Sequence, residues 1–88
     1  MEQLIWFQKY EIIKKIGQGG SGEVFLANHI KLNSQRAIKR ISKNHLLHNQ
    51  LLKEAYILKD LKHPLIPIIY DFEEDNDHSY IILEYIDG

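Results

Sequence analysis

Four of the five glycines in this 88-residue chain lie within Gly17-Gln18-Gly19-Gly20-Ser21-Gly22. Glycine has no Cβ, so a backbone built from it can turn sharply and approach a ligand that any side chain would hold off. Successive N–H groups in such a turn form a concave site for anions, phosphate oxygens above all. Two further residues are placed where charge needs a reason. Lys39 alternates with Ala37 and Ile41, so it shares the face of a predicted strand with small and apolar neighbours. Glu54 falls three residues after Leu51 and four before Leu58, inside the Leu47, Leu51, Leu58, Leu61 stripe of a predicted helix. An anion and a cation on adjacent elements explain each other, because either alone is costly on an apolar face. The bland alternative is a narrow stripe with Glu54 at its wet edge. The paired reading is the one adopted.

The elements that must position these residues are five strands and one helix. The strands are expected at about Tyr10–Ile16, Glu23–His29, Gln35–Ile41, Ile66–Glu73 and Ser79–Tyr85. Lys31-Leu32-Asn33-Ser34 and Asp75-Asn76-Asp77 read as tight connections. The helix is expected from about His45 to Lys62, capped by Asn44 or Ser42 and stopped where Pro64 biases His63 away from helical angles. The order β-β-β-α-β-β with short turns predicts an α+β fold, a five-stranded antiparallel sheet with one packed helix. Residues 1–9 read as an N-terminal extension. Within it, Leu4-Ile5-Trp6-Phe7 is read as packing rather than as a docking motif.

The glycine spacing G-x-G-x-x-G suits several phosphate sites, and its context separates them. A dinucleotide fold needs the glycines to open a helix, but Glu23-Val24-Phe25-Leu26-Ala27 is strand-like. A Walker-A loop needs Lys and Ser/Thr after the last glycine, where this chain has Glu23 and Val24. What remains is a glycine turn between antiparallel strands, the arrangement used by protein kinases. The chain resembles the N-terminal lobe of a eukaryotic-type protein kinase from about Tyr10 to Gly88. Gly17 to Val24 is similar to the family's glycine loop in full, and Ala37-Ile38-Lys39 to its third-strand lysine motif, with Arg36 in place of the usual apolar residue. Glu54 resembles the helix glutamate that pairs with that lysine. Leu61-Lys62-His63-Pro64 looks like the turn after the helix, and Leu83-Glu84-Tyr85 like the entry to the hinge.

That resemblance implies ATP as the bound cofactor. Backbone N–H groups of Gln18, Gly19, Gly20, Ser21 and Gly22 would cradle the β- and γ-phosphates, with Ile16 and Gly17 at the loop's entry. Lys39 would meet the α- and β-phosphates, with Glu54 holding its ammonium. Val24 and Ala37 would lie over the adenine, Leu83 would be the gatekeeper, and the Glu84 carbonyl and Ile86 N–H would bond the adenine edge. Leu58 and Ile69 match an apolar spine behind the lysine. The resemblance also implies a C-terminal lobe that supplies the catalytic aspartate and the magnesium ligands, so Mg2+ is expected only with that lobe. The expected function is therefore the ATP-binding lobe of a Ser/Thr-type kinase that phosphorylates protein hydroxyls. Taken alone, these 88 residues are expected to be inactive, to bind ATP weakly and to self-associate through apolar residues that would otherwise meet the C-lobe. Two rivals stay open: a kinase-shaped regulatory module without phosphoryl transfer, and a small interaction domain that binds no nucleotide.

Composition narrows the field further. At 44% apolar residues the chain has the makings of a folded domain, and a formal charge of -1 offers no basic field for nucleic acid. It has no cysteine, which excludes disulfides and thiolate metal sites. Met1-Glu2 opens on an acid rather than the basic residues of a signal peptide, and no run approaches the ~20 apolar residues of a membrane span. A cytoplasmic kinase domain is expected, with membrane attachment beyond residue 88 left open. Asp71-Phe72-Glu73 lacks the glycine of a magnesium motif and reads as strand. His45 and His48 find no third ligand at convincing spacing, so no metal site is assigned. The acidic run from Asp71 to Asp77 is read as a solvated turn.

Overall fold

A computed structural model describes residues 4–19, 22–61 and 67–86. Its sheet has six antiparallel strands, not five: β1 (Ile5–Trp6), β2 (Tyr10–Gly19), β3 (Gly22–His29), β4 (Ser34–Ser42), β5 (Ile69–Glu74) and β6 (His78–Glu84). Their spatial order is β1-β2-β3-β4-β6-β5, with one helix, α1 (His48–Leu58), between β4 and β5 in the chain. The added strand comes from the predicted extension. The Ile12 N–H donates to the Leu4 carbonyl at 2.8 Å, and Ile5 and Trp6 stand opposite Glu11 and Tyr10.

A tight turn joins β1 to β2, closed by Lys9 N–H donating to the Trp6 carbonyl at 3.0 Å. Its central residues, Phe7 and Gln8, have φ of 56° and 57°. Two-residue hairpin turns require positive φ at both centres, which glycine accepts and other L-residues resist. Aromatic packing holds the turn in place. The Phe7 ring meets Tyr80 edge-on at 4.9 Å, and Trp6 meets Phe25 at 4.9 Å and Tyr80 at 5.3 Å. Gln8→Gly should therefore raise stability by about 0.5–1 kcal/mol in urea unfolding, the relief of strain exceeding the extra unfolded-state entropy. A lower midpoint would mean that the Gln8 side chain contributes more than its backbone costs.

Strand alternation divides the apolar residues between the two faces of the sheet. On one face Tyr10, Ala27, Ile38, Tyr80 and Ile82 are buried beneath Trp6, Phe7 and Ile12. On the other, Ile41 and Ile81 pack with Ala55 of the helix, flanked by Leu51, Leu52, Ile69, Phe72 and Leu83. β2 carries irregularities between Ile12 and Lys14 and between Lys15 and Gly17. Each interrupts the ladder and adds local twist, which curls the hairpin as it approaches the glycines.

The helix departs most from expectation. It starts at His48 rather than His45, and neither Ser42 nor Asn44 caps it. The Ser42 hydroxyl accepts the Asn44 N–H, and the His45 N–H bonds to the Ser42 carbonyl, so these polar groups make turns before the helix begins. Leu47 occupies the cap position without a side-chain bond. A tertiary contact anchors the start instead: His48 Nε2 lies 2.8 Å from the hydroxyl of buried Ser79 on β6. On the other side of the ring, Nδ1 lies 3.0 Å from Asn49 Oδ1. The helix also ends at Leu58, short of the expected Lys62, and the strand expected from Ile66 begins at Ile69; Pro64 and most of the post-helix turn lie outside the described residues.

The inward face of the helix also differs. Leu51, Leu52 and Ala55 rest on the sheet, whereas Leu47, Leu58 and Leu61 are 47%, 37% and 54% exposed. The expected stripe was rotated too far. Ala55, small enough to let the helix sit close, marks its centre.

Candidate functional site

The two arms of the glycine hairpin pair closely. Gly17 stands opposite Val24, Gln18 opposite Glu23, and Gly19 opposite Gly22. Gly20 and Ser21, expected to offer phosphate-binding N–H groups, lie outside the described residues. Ile16 falls at the irregularity in β2 and is 40% exposed. The glycines are not equivalent. A methyl at Gly22, where φ is +155°, would strike the Arg40 carbonyl oxygen, so β3 and β4 need glycine there. A methyl at Gly19 would meet nothing within 4 Å, and at Gly17 it would make ordinary contact with Val24.

From the hairpin, register carries the site across the sheet. Val24 stands opposite Lys39, Lys39 opposite Ile81, and Ala37 opposite Leu83. These residues share the face toward the helix. Lys39, Glu54, Leu58, Ile69 and Leu83 line one cavity of about 270 Å3, together with the core residues beside them. Sequence reasoning thus names five residues from β4, α1, β5 and β6 that the fold brings to one place. A larger cleft, about 440 Å3 between Leu52, Tyr56 and Phe72, carries Glu73 and Glu74 on its wall and no cation, so it suits no phosphate.

The expected contact between Lys39 and Glu54 is not made. Among the described residues no ion pair joins them. Glu54 is exposed and accepts a long 3.5 Å hydrogen bond from Gln50 Nε2 one turn back on its own helix. The reason is the rotation described above: the helix seats on Leu51, Leu52 and Ala55, which leaves Glu54 at the hydrated rim. Two solvated charges gain little by meeting unless their surroundings close over them.

At the hinge end, β6 ends at Glu84, one residue before the expected Tyr85. The Glu84 N–H donates to the Ile68 carbonyl at 2.7 Å, and Glu84 Oε1 accepts the Ile68 N–H at 3.3 Å. This fixes Glu84 against the chain entering β5. Ile86 follows, 57% exposed.

Sequence reasoning missed the charge cluster on the opposite face. Glu23, the residue after the last loop glycine, accepts from Lys15 Nζ at 2.8 Å and from Arg40 Nη2 at 2.7 Å. Hydrogen bonding to Lys15, then to Arg40, draws the Glu23 carboxyl down from its ordinary 4.5 to about 2. The signal was present in the register, since Glu23 and Arg40 lie opposite each other across β3 and β4. The acidic turn also holds more than solvent. Asp75 Oδ1 accepts the Asp77 and His78 N–H groups, and its Oδ2 takes the Tyr80 hydroxyl proton at 2.6 Å. Burial first, then this bond to Asp75, pushes the Tyr80 hydroxyl up to about 12.

Comparison with known proteins identifies the family. The profile of the protein kinase domain matches residues 10–88. A serine/threonine-protein kinase PknD of Chlamydia trachomatis is 42% identical over 85 residues, covering 92% of this chain and 9% of that protein. The proteins of the same name from Protochlamydia amoebophila and Chlamydia caviae are 43% and 41% identical, covering 90% and 92% of this chain and 8% and 9% of theirs. The chain thus spans about 9% of the length of the curated relatives it matches. Matched by that profile over residues 10–88, the chain belongs to the protein kinase domain family, as the N-terminal portion of that domain.

Proposed function

We propose that this chain is the ATP-binding lobe of a Ser/Thr-type protein kinase, which transfers the γ-phosphate of ATP to protein hydroxyls. The observation that carries the reading is the cavity between the helix and the sheet, where Lys39 is brought together with Glu54, Leu58, Ile69 and Leu83. A lysine in such a place, with no ion-pair partner among the described residues, suits a polyanion that brings its own charge. The glycines support the same ligand. Packing requires glycine at Gly22 but leaves room at Gly19, so the lack of a side chain at Gly19 is explained by close approach of a ligand to the backbone. The names of the PknD relatives support Ser/Thr specificity.

ATP supplies the phosphoryl group when bound. The chain's own part is to bind and orient it. Backbone N–H groups of the hairpin face the phosphates, Lys39 offsets their charge, and Val24 and Ala37 cover an apolar ring. Glu54, which lines the same cavity, would hold the Lys39 ammonium at one position once the two meet. Catalytic and magnesium-binding side chains come from the other lobe of such a domain, so the 88 residues alone do not turn over.

Titrating the chain with ATP while following amide chemical shifts tests this. Saturable shifts are expected at Gly17, Gly19, Val24 and Lys39, at weak affinity and with little response to Mg2+. Shifts absent from these residues, or spread evenly over the sheet, would overturn the assignment.

A further inference from the structure

The cluster around Glu23 lies on the sheet face away from Lys39. In β3 and β4 the neighbouring pairs Glu23–Arg40 and Val24–Lys39 point to opposite sides. Glu23 holds Lys15 on β2 and Arg40 on β4 with one oxygen each, so a single carboxylate ties three strands together beside Gly22. The Arg40 guanidinium in turn lies against two mutually edge-on rings, 5.3 Å from the centre of Trp6 and 5.0 Å from that of Phe25. Both distances fall within cation–π range. Trp6 reaches this place only because β1 folds back on β2 through the strained Phe7-Gln8 turn. The N-terminal hairpin and the arms of the glycine hairpin are therefore joined by a short run of direct contacts.

We propose that Trp6, Arg40, Glu23 and Lys15 act as positioning residues for the glycine hairpin: the N-terminal strand, by holding Arg40, fixes the Glu23 clamp that sets the spacing of the two glycine arms. Rigid arms present their N–H groups already in place, so a phosphate ligand spends less of its binding energy on ordering them. The reason for the strained turn then becomes plain, since it delivers an indole to the arginine. The benefit for nucleotide binding rests on the function proposed above; the clamp itself does not.

Contact alone does not demonstrate coupling, so the test is a double-mutant cycle. Native-state hydrogen exchange of the intact protein without nucleotide would be compared for wild type, Trp6→Leu, Glu23→Gln and the double variant. Leu keeps apolar bulk and removes the ring face, and Gln keeps the shape of Glu without its charge; Trp6→Met, also without a ring, serves where Trp6→Leu lowers protection throughout the sheet. Each single change should speed exchange at Gln18, Gly19 and Val24 about three- to fivefold, with β5 and β6 unchanged. In the Glu23→Gln background, the Trp6 change should add nothing at those amides. Unchanged exchange in the Trp6 variants, or the same factor with and without Glu23, would overturn the proposal. ATP titration of the same proteins separates the two readings: altered exchange without any ATP response keeps the clamp and removes the nucleotide.

Discussion

With the catalytic lobe present, replacing Lys39 with Ala is expected to lower phosphoryl transfer by about a hundredfold or more, while the melting temperature stays close to wild type. The activity loss follows from the chemistry assigned to the ammonium. A positioned cation on the phosphates acts where charge shifts during transfer, and removing one such group commonly costs about 100- to 1,000-fold. The stability expectation follows from the structure. Lys39 is half-buried, lies in a cavity and makes no ion pair among the described residues, so truncation breaks no network. Lys39→Arg separates charge from shape, because a wider planar guanidinium does not fit where a compact ammonium does. Turnover close to wild type in Lys39→Ala would remove the central residue of the site.

Gly22→Ala is expected to damage the fold itself, at roughly 3 kcal/mol. The new methyl would overlap the Arg40 carbonyl oxygen, a backbone atom in the middle of a paired strand that has no rotamer to escape into. A φ of +155° adds strain for any L-residue. Relief requires β3 and β4 to part, which also pulls Glu23 from Arg40. Chemical denaturation would record a lower midpoint. Gly19→Ala, at an open position, should leave that midpoint nearly unchanged and weaken ATP binding instead. Equal stability losses at the two glycines would show that crowding at Arg40 is not what distinguishes them.

Most of the sheet was legible because alternation and turn residues are local signals. The strands now labelled β3 and β4 were placed within one residue at either end, and β2 was extended through Gly19 by pairing that the glycines do not advertise. The first strand was invisible for the opposite reason. It has two residues, and its turn puts Phe7 and Gln8 where propensity argues against them; only packing on Tyr80 makes it stable. The helix was legible as a helix, but its rotation was not. Four leucines suggested a stripe, and the alanine between them proved to be the contact, because how closely a helix sits depends on the partner surface. Hence the fold brings Lys39 and Glu54 to one cavity without making the bond between them. Spacing reports which face a side chain shares. It does not report the last few ångströms, which depend on what the helix rests upon.

One feature of β4 also constrains how this domain can change over time. Its successive residues serve two masters, Arg36, Ile38 and Arg40 one side and Ala37, Lys39 and Ile41 the other. Losing or gaining a single residue inside this stretch would send every later side chain through the sheet, exchanging the residues of the helix-facing side for those of the other. The length of this stretch is therefore held more tightly than any one of its side chains. Added residues at the Lys31–Asn33 turn leave the parity of the strands untouched, whereas at Asp75–Asp77 they would break the hydrogen bonds of Asp75.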